Sequence, residues 1–373
     1  MKTEAARFPR TAFPVDSSRG ARAIGAPSAQ PNGYKSMEPK TGAKGISLGS
    51  LARRPETGSL IGFVVVYIFF AALGGKVFMS APGWSSWLNI AAEVGIIALP
   101  VGLLMISGEF DMSVGSVIPA SSMMAAILSG HYELPALVGI LGGLGVGLFV
   151  GFVNGVIVTR TTIPSLIVTI GVMFAVMGMT LGLAVMIKGS TSVSYVPDPL
   201  TKSILGQFIN GMFNVSIFWW LGFVAVFFYF LHISPIGNWV FALGGDRESA
   251  RNAGIPTDKL TIGLFMMSGF NAAFVGIAQV MTYQSAQVAG GQSFIFNSIM
   301  CVVIGGVLLT GGAGSVVGVV LGTMTFAVVN QGIYFAALDP NIGSIIIGAL
   351  LLAAVLSNDS FRALAMNYAT KKK

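Results

Sequence analysis

Few side chains in this sequence could do chemistry. Glu93 is a carboxylate inside a long apolar stretch, where a buried acid faces a cavity or a polar partner because hydrocarbon cannot solvate its charge. Two readings of it stand side by side: a group linked to a proton or a solute, or a residue of the outer mouth. A second polar set is Asn271, Gln279, Tyr283, Gln284 and Gln287, followed by Asn297, Asn330 and Gln331. Amides and hydroxyls with so few charges suit a neutral polyhydroxylated solute better than an ion. Hydrogen bonding between helices explains any one of them equally well. Asp111 and Ser113 either structure an inner gate or cap the helix that follows by accepting its free amide protons.

Reaction chemistry is missing. No G-x-x-x-x-G-K-[ST] occurs, so the chain has no phosphate cradle of its own. His131 and His232 are isolated in sequence, Cys301 is the only cysteine, and no catalytic or metal-ligand spacing appears. The expectation is no catalytic residue, no metal and no enzyme.

The surrounding composition is that of a membrane protein. Of 373 residues, 54% are hydrophobic and 9% charged, against about 25% charged in a soluble domain. Residues 1–59 hold 14 of the 35 charges, and residues 60–357 hold 16. A helix crossing a bilayer needs about 20 apolar residues. Ten such segments are predicted, at roughly 59–79, 88–107, 112–130, 135–158, 164–187, 216–234, 260–282, 294–310, 315–337 and 342–357, the eighth and ninth partly re-entrant, so that the count is eight to ten. The fold class is therefore an all-α polytopic bundle. Residues 1–58 form a basic tail whose proline, glycine and serine predict disorder, 59–357 the membrane domain, and 358–373 a short basic end. Placing both termini in the cytoplasm puts 18 of 21 basic residues inside, and with the tail discounted the ratio is still 8 to 3. The basic excess thus marks membrane orientation, not a nucleic-acid surface.

Gly139, Gly143, Gly147, Gly151 and Gly155 recur every four residues and share one helix face, a device for close backbone approach. That face serves either internal packing or a subunit interface. Pro100 and Pro119 lie within spans and predict kinks or interruptions. Between the sixth and seventh spans runs an internal loop, about 237–258. In it a turn at Gly244-Gly245 precedes a short helix from Asp246, with Arg251 in its last turn, ended by Gly254 and Pro256. By its residues alone this is a docking knob or a structured linker.

That loop resembles the coupling element of the membrane permeases of ribose/xylose/arabinose-type ABC sugar importers, of the form GGN-x-x-A-A-R-x-x-G-I. Gly244, Gly245, Ala250, Arg251, Gly254 and Ile255 match it, with Asp246 following the glycine pair. Gly108-Glu109-Phe110-Asp111-Met112-Ser113-Val114-Gly115-Ser116 is similar to the family's GGIDLSVGS. The stretch from Val303 to Ser315 (VIGGVLLTGGAGS) is similar to its IGGTSLSGGRGS. Gly151–Gly155 and Ile163–Gly171 resemble its GLING and IPPFIATLG. The matches keep their order over about 60–357. The resemblance implies a permease subunit in the bacterial inner membrane, importing a sugar or polyol. It also implies a cytoplasmic ATPase that carries the ATP and Mg, an external solute-binding protein, and a second permease copy forming a homodimer in the lipid. The family's acidic ELDAIAA segment is replaced here by Phe294–Met300, which has no acid. A self-sufficient secondary transporter or channel using Glu93 is the alternative.

Overall fold

The computed structural model describes residues 55–339, 341, 343–349, 352 and 353. Most of the expected tail and all of the basic C-terminal end lie outside these. The chain forms α1 (Pro55–Phe78), α2 (Ala81–Ile106), α3 (Val114–Ala126), α4 (Ala136–Arg160) and α5 (Ser165–Lys188). After these come β1 (Ser192–Ser194), α6 (Pro199–Leu205), β2 (Phe208–Ile209), β3 (Phe213–Asn214) and α7 (Ser216–Phe228). The remainder is α8 (Pro235–Gly245), α9 (Arg247–Asn252), α10 (Thr257–Tyr283), β4 (Ser285–Gln287), α11 (Gln292–Ile304) and α12 (Val316–Phe335). One π-helical turn extends each of α3 and α7, to His131 and Ile233.

Among the described residues eight helices are long and apolar enough to cross a membrane, namely α1 to α5, α7, α10 and α12. The expected eighth span is instead the 13-residue α11, followed by an irregular loop to Ser315. The expected tenth is described only in part, with 341, 343–349, 352 and 353 helical. Helix α1 begins at Pro55, ahead of the expected boundary at 59, because proline suits the first helical position and Glu56 faces the amide end of the helix. Helices α2 and α3 continue across Pro100 and Pro119. The helical path breaks instead in α1 at Gly75, whose φ is 58°.

Helices α2, α3, α10 and α12 form the interior, while α1, α5 and α7 present apolar side chains outward, such as Val65, Phe174, Met186 and Leu221. Lipid is as apolar as these side chains, so the helices are held together by close packing and not by expulsion of water. The glycines of α4 supply that packing. All five are buried, and a Cβ would strike Ala125 and Ser129 at Gly139, or the Ser121 carbonyl at Gly143. On α10 it would strike the Gly269 carbonyl at Gly147, the Phe265 carbonyl at Gly151 and Ile262 at Gly155. Gly318 and Gly322 bring α12 onto α11 in the same way, with Gly322 over the carbonyl of the fully buried Cys301.

One end of the bundle carries Arg160, Arg247 and Arg251 and is called the arginine end below. At the other end β1 pairs antiparallel with β4, Ser192 opposite Gln287. A hairpin of β2 and β3 turns at Asn210 and Gly211, which have φ of 51° and 70° as such tight turns require. Asn89 holds this hairpin: its Nδ2 donates to the Met212 carbonyl and its Oδ1 accepts from Asn214 N, both at 2.8 Å.

Candidate functional site

Three segments far apart in sequence meet at the arginine end. Helix α8 runs through Gly244 and Gly245, so the expected Gly-Gly turn is helical. The reason is contact: a Cβ at Gly244 would occupy the positions of the Ile106 carbonyl and the Gly312 amide. Gly312 N donates to that same Ile106 carbonyl at 2.8 Å. Gly108, Gly311 and Gly312 have φ of 86°, 79° and 78°, left-handed values that let three backbones cross within van der Waals distance. The end of α2, the end of α8 and the loop before α12 therefore form one junction.

Helix α9 projects from this junction. Asp246 caps it, Oδ1 accepting from Ser249 N at 2.6 Å, and the bonds from Ser249 hold the Asp246 carboxyl below the usual carboxylate range. Gly254, with φ of 85°, ends it. Ala250 is buried, while Glu248, Ser249, Arg251 and Asn252 are exposed. Arg251 binds both oxygens of Asp258, at 2.8 and 3.0 Å. Arg247 turns inward: Nη1 meets Glu109 Oε1 at 2.6 Å and Nη2 donates to Thr261 Oγ1 at 3.3 Å. Glu109 is only 8% exposed, and Arg247 is its ion-pair partner. This ion pair joins α9 to the segment between α2 and α3.

That segment runs on into the interior. Phe110 N donates to Ser165 Oγ at 3.0 Å and Met112 N to Thr169 Oγ1 at 3.1 Å. Asp111 Oδ1 accepts from both the amide (2.9 Å) and the hydroxyl (2.6 Å) of Ser113. Ser113 makes no side-chain capping bond to α3, so the expected cap is a local Asp–Ser turn instead. Asn154 Nδ2 donates to Ser113 Oγ at 2.8 Å.

The comparisons with known proteins fit this geometry. Residues 83–355 match the family described as "Branched-chain amino acid transport system / permease component". The chain belongs to that permease family. It is similar to the "Fructose import permease protein FrcC" of Rhizobium meliloti, 29% identical over 83% of this chain and 87% of the relative. It is 32% identical to the "Probable ABC transporter permease protein y4mJ" of Sinorhizobium fredii, over 80% of this chain and 87% of the relative. To the "Ribose import permease protein RbsC" of Escherichia coli it is 29% identical, over 81% and 92%. No solved structure matches the chain. The protein is thus a multi-pass membrane permease of ABC type, related to sugar import permeases.

The other polar candidates of the permease divide into one cluster and several separate residues. Glu93 on α2 accepts from Gln279 Nε2 at 2.9 Å and from Tyr283 OH at 3.3 Å, both on α10. Asn271 donates to the Met267 carbonyl and borders an apolar cleft with Phe223 and Phe270. Gln284 ends α10 with φ of 57°, and its carbonyl accepts from Tyr195 N. Asn297 is half-buried on α11, and Asn330 accepts from Gln331 beside Tyr334. Among the described residues no group of three or more His, Cys, Asp or Glu is arranged to hold a metal ion. His232 accepts from Val316 N at 3.2 Å and so helps cap α12. Glu109, Arg247, Asn154 and Ser268 were not singled out in the sequence. The first three stand inside the motif segments, but their pairing depends on contacts no local pattern encodes.

Proposed function

We propose that this permease imports a sugar or related polyol across the bacterial inner membrane, driven by a separate cytoplasmic ATPase docked on α9. The arginine end faces the cytoplasm, and with it both termini. An external binding protein delivers the solute, and a second copy of the chain completes the path. The observation that carries this is the junction. Three of the motif segments that resemble the sugar permeases (108–116, 244–255 and 303–315) come together at one end, and α9 stands out from them with a polar exposed face. Closure of the ATPase pair moves α9. The Arg247–Glu109 ion pair and the glycine crossing carry that motion to α2, α3 and α12, and the path alternates its opening. The sugar class is supported by relatives named for fructose and ribose import. The Glu93, Gln279 and Tyr283 set fits it as well, since a carboxylate, an amide and a phenol hydrogen-bond to neutral hydroxyls.

The test is uptake into vesicles by the permease with its ATPase and binding protein. Uptake that needs ATP and both partners is expected. Uptake by the chain alone along a proton or solute gradient would overturn the reading. Ala253→Arg places a charge on the exposed end of α9 at an ordinary helical φ. It is expected to lower ATPase co-purification and uptake at least about tenfold, about 1.4 kcal/mol, while the protein still inserts.

A further inference from the structure

Glu93, Gln279 and Tyr283 keep hydrogen-bonding capacity that the chain itself does not use. Glu93 Oε2 accepts from Gln279 Nε2 at 2.9 Å, a closed bond. Tyr283 OH stands 3.3 Å from Glu93 Oε1, beyond the usual O–H···O range of about 2.5–3.0 Å. Gln279 Oε1 makes no hydrogen bond among the described residues, and each carboxyl oxygen of Glu93 can take a further partner. The set is also open: Tyr283 is 61% exposed, and Glu93 and Gln279 are half-buried. A carboxyl group within a span faces the bundle interior or a water-filled space, so this opening belongs to a wet path and not to lipid.

The place of the set in the fold is fixed by its neighbours. Asn89, one helical turn before Glu93 on α2, holds the β2–β3 hairpin through Met212 and Asn214. Thr282, next to Tyr283 on α10, accepts from Asn214 Nδ2 at 3.4 Å. The three side chains therefore lie one turn beneath the hairpin, at the end of the bundle opposite the arginine end. A hydroxyl is the group that completes them. Entering between Tyr283 and Glu93, it accepts from the phenol and donates to the carboxyl group, so that two closed bonds replace one long contact. Because a hydroxyl both donates and accepts, it serves whether Glu93 is ionised or holds a proton. Hydroxyls on neighbouring carbons match the paired oxygens of one carboxyl group, with Gln279 Oε1 as a further acceptor. An anionic solute finds no counter-charge, since among the described residues no Lys, Arg or His is within ion-pair distance of Glu93.

We infer that Glu93, Gln279 and Tyr283 form the entry subsite of the permease, which takes neighbouring hydroxyls of a neutral polyol beneath the β2–β3 hairpin. The assignment of this end as the entrance rests on the import reading above. The test is saturation-transfer NMR on the detergent-solubilised full chain, with D-ribose, D-fructose and glycerol as probes and ethanol and acetate as controls. Saturable transfer to at least one of the polyols is expected, with little to ethanol or acetate. Glu93→Gln and Gln279→Ala should each weaken the apparent affinity for that polyol about tenfold or more, and Tyr283→Phe about threefold. Tyr283→Phe keeps the ring, which preserves the test if either of the others fails to fold. Absence of transfer to all three polyols would overturn the subsite. So would equal affinity in wild type and the folded variants, or transfer to acetate as strong as to the polyols. The vesicle assay separates this result from the reading it rests on. Polyol binding lost in the variants together with ATP-independent uptake would keep the subsite and fail the import reading, and ATP-dependent uptake with unchanged binding in the variants would do the reverse.

Discussion

Helices α4 and α5 both carry glycines four residues apart, yet among the described residues only those of α4 meet a partner. On α4 every position from Gly139 to Gly155 in that series is pressed against the backbone or side chains of α3 or α10. On α5 a Cβ at Gly171, Gly178 or Gly182 would meet nothing within 4 Å. The same spacing thus records a capacity for close approach and leaves the partner unspecified. What separates the two is the facing surface: α10 offers Gly269 and Ala273 to the α4 seam, small residues that let the backbones touch.

The largest expected effect that could break this contrast is Gly151→Leu. Its side chain would have to displace the Phe265 carbonyl and Met266, and a loss of about 3 kcal/mol or more is expected. The purified variant should unfold at lower denaturant or aggregate, and wild-type stability would remove the seam from the account. Second in size, Arg247→Gln leaves Glu109 without its partner. Because the arginine is partly exposed, the coupling in a cycle with Glu109→Gln should be about 1 kcal/mol, read from unfolding midpoints of the two single variants and the double. A smaller outcome sharpens the other side of the comparison. Gly178→Leu on the open face of α5 should change stability by less than about 0.5 kcal/mol, and a large loss would mean that α5 has a partner after all. Smallest is the pH response of α9. The Asp246 carboxyl is lowered by Ser249, so its contribution is complete above the unfolded value, about 3.9, and is lost as pH falls through the lower folded value. Hydrogen-exchange protection at Ser249, corrected for intrinsic rates, should hold down to about pH 4 and decline below it. Asp246→Asn should keep the cap and lose that dependence.

Much of this architecture was readable from residue types. Apolar length located eight of the ten expected spans, the eighth being the shorter α11 and the tenth only partly described, and Asp246, Arg251 and Gly254 outlined α9, because helix ends are local chemistry. The signals for structure between α5 and α7 were also present: Asn210-Gly211 favours a hairpin and Asp198-Pro199 favours a helix start, where Asp198 accepts from Leu200 N and Thr201 N. Gly244 and Gly245 misled for a physical reason. A glycine pair suggests conformational freedom, whereas at Gly244 the chain uses the lack of bulk against Ile106. The junction was beyond local reading, since Arg247 and Glu109 are 138 residues apart and nothing near either one names the other. The same holds for Asn154 and Ser113, which looked like parts of separate motifs.

Cys301 has a practical consequence. As the sole thiol of the chain, fully enclosed beneath Gly322, it should stay silent toward water-soluble maleimides and spin labels. Reporter cysteines can then be introduced one at a time on α9 or beside Glu93 in an otherwise natural background, and distances between them followed through a transport cycle.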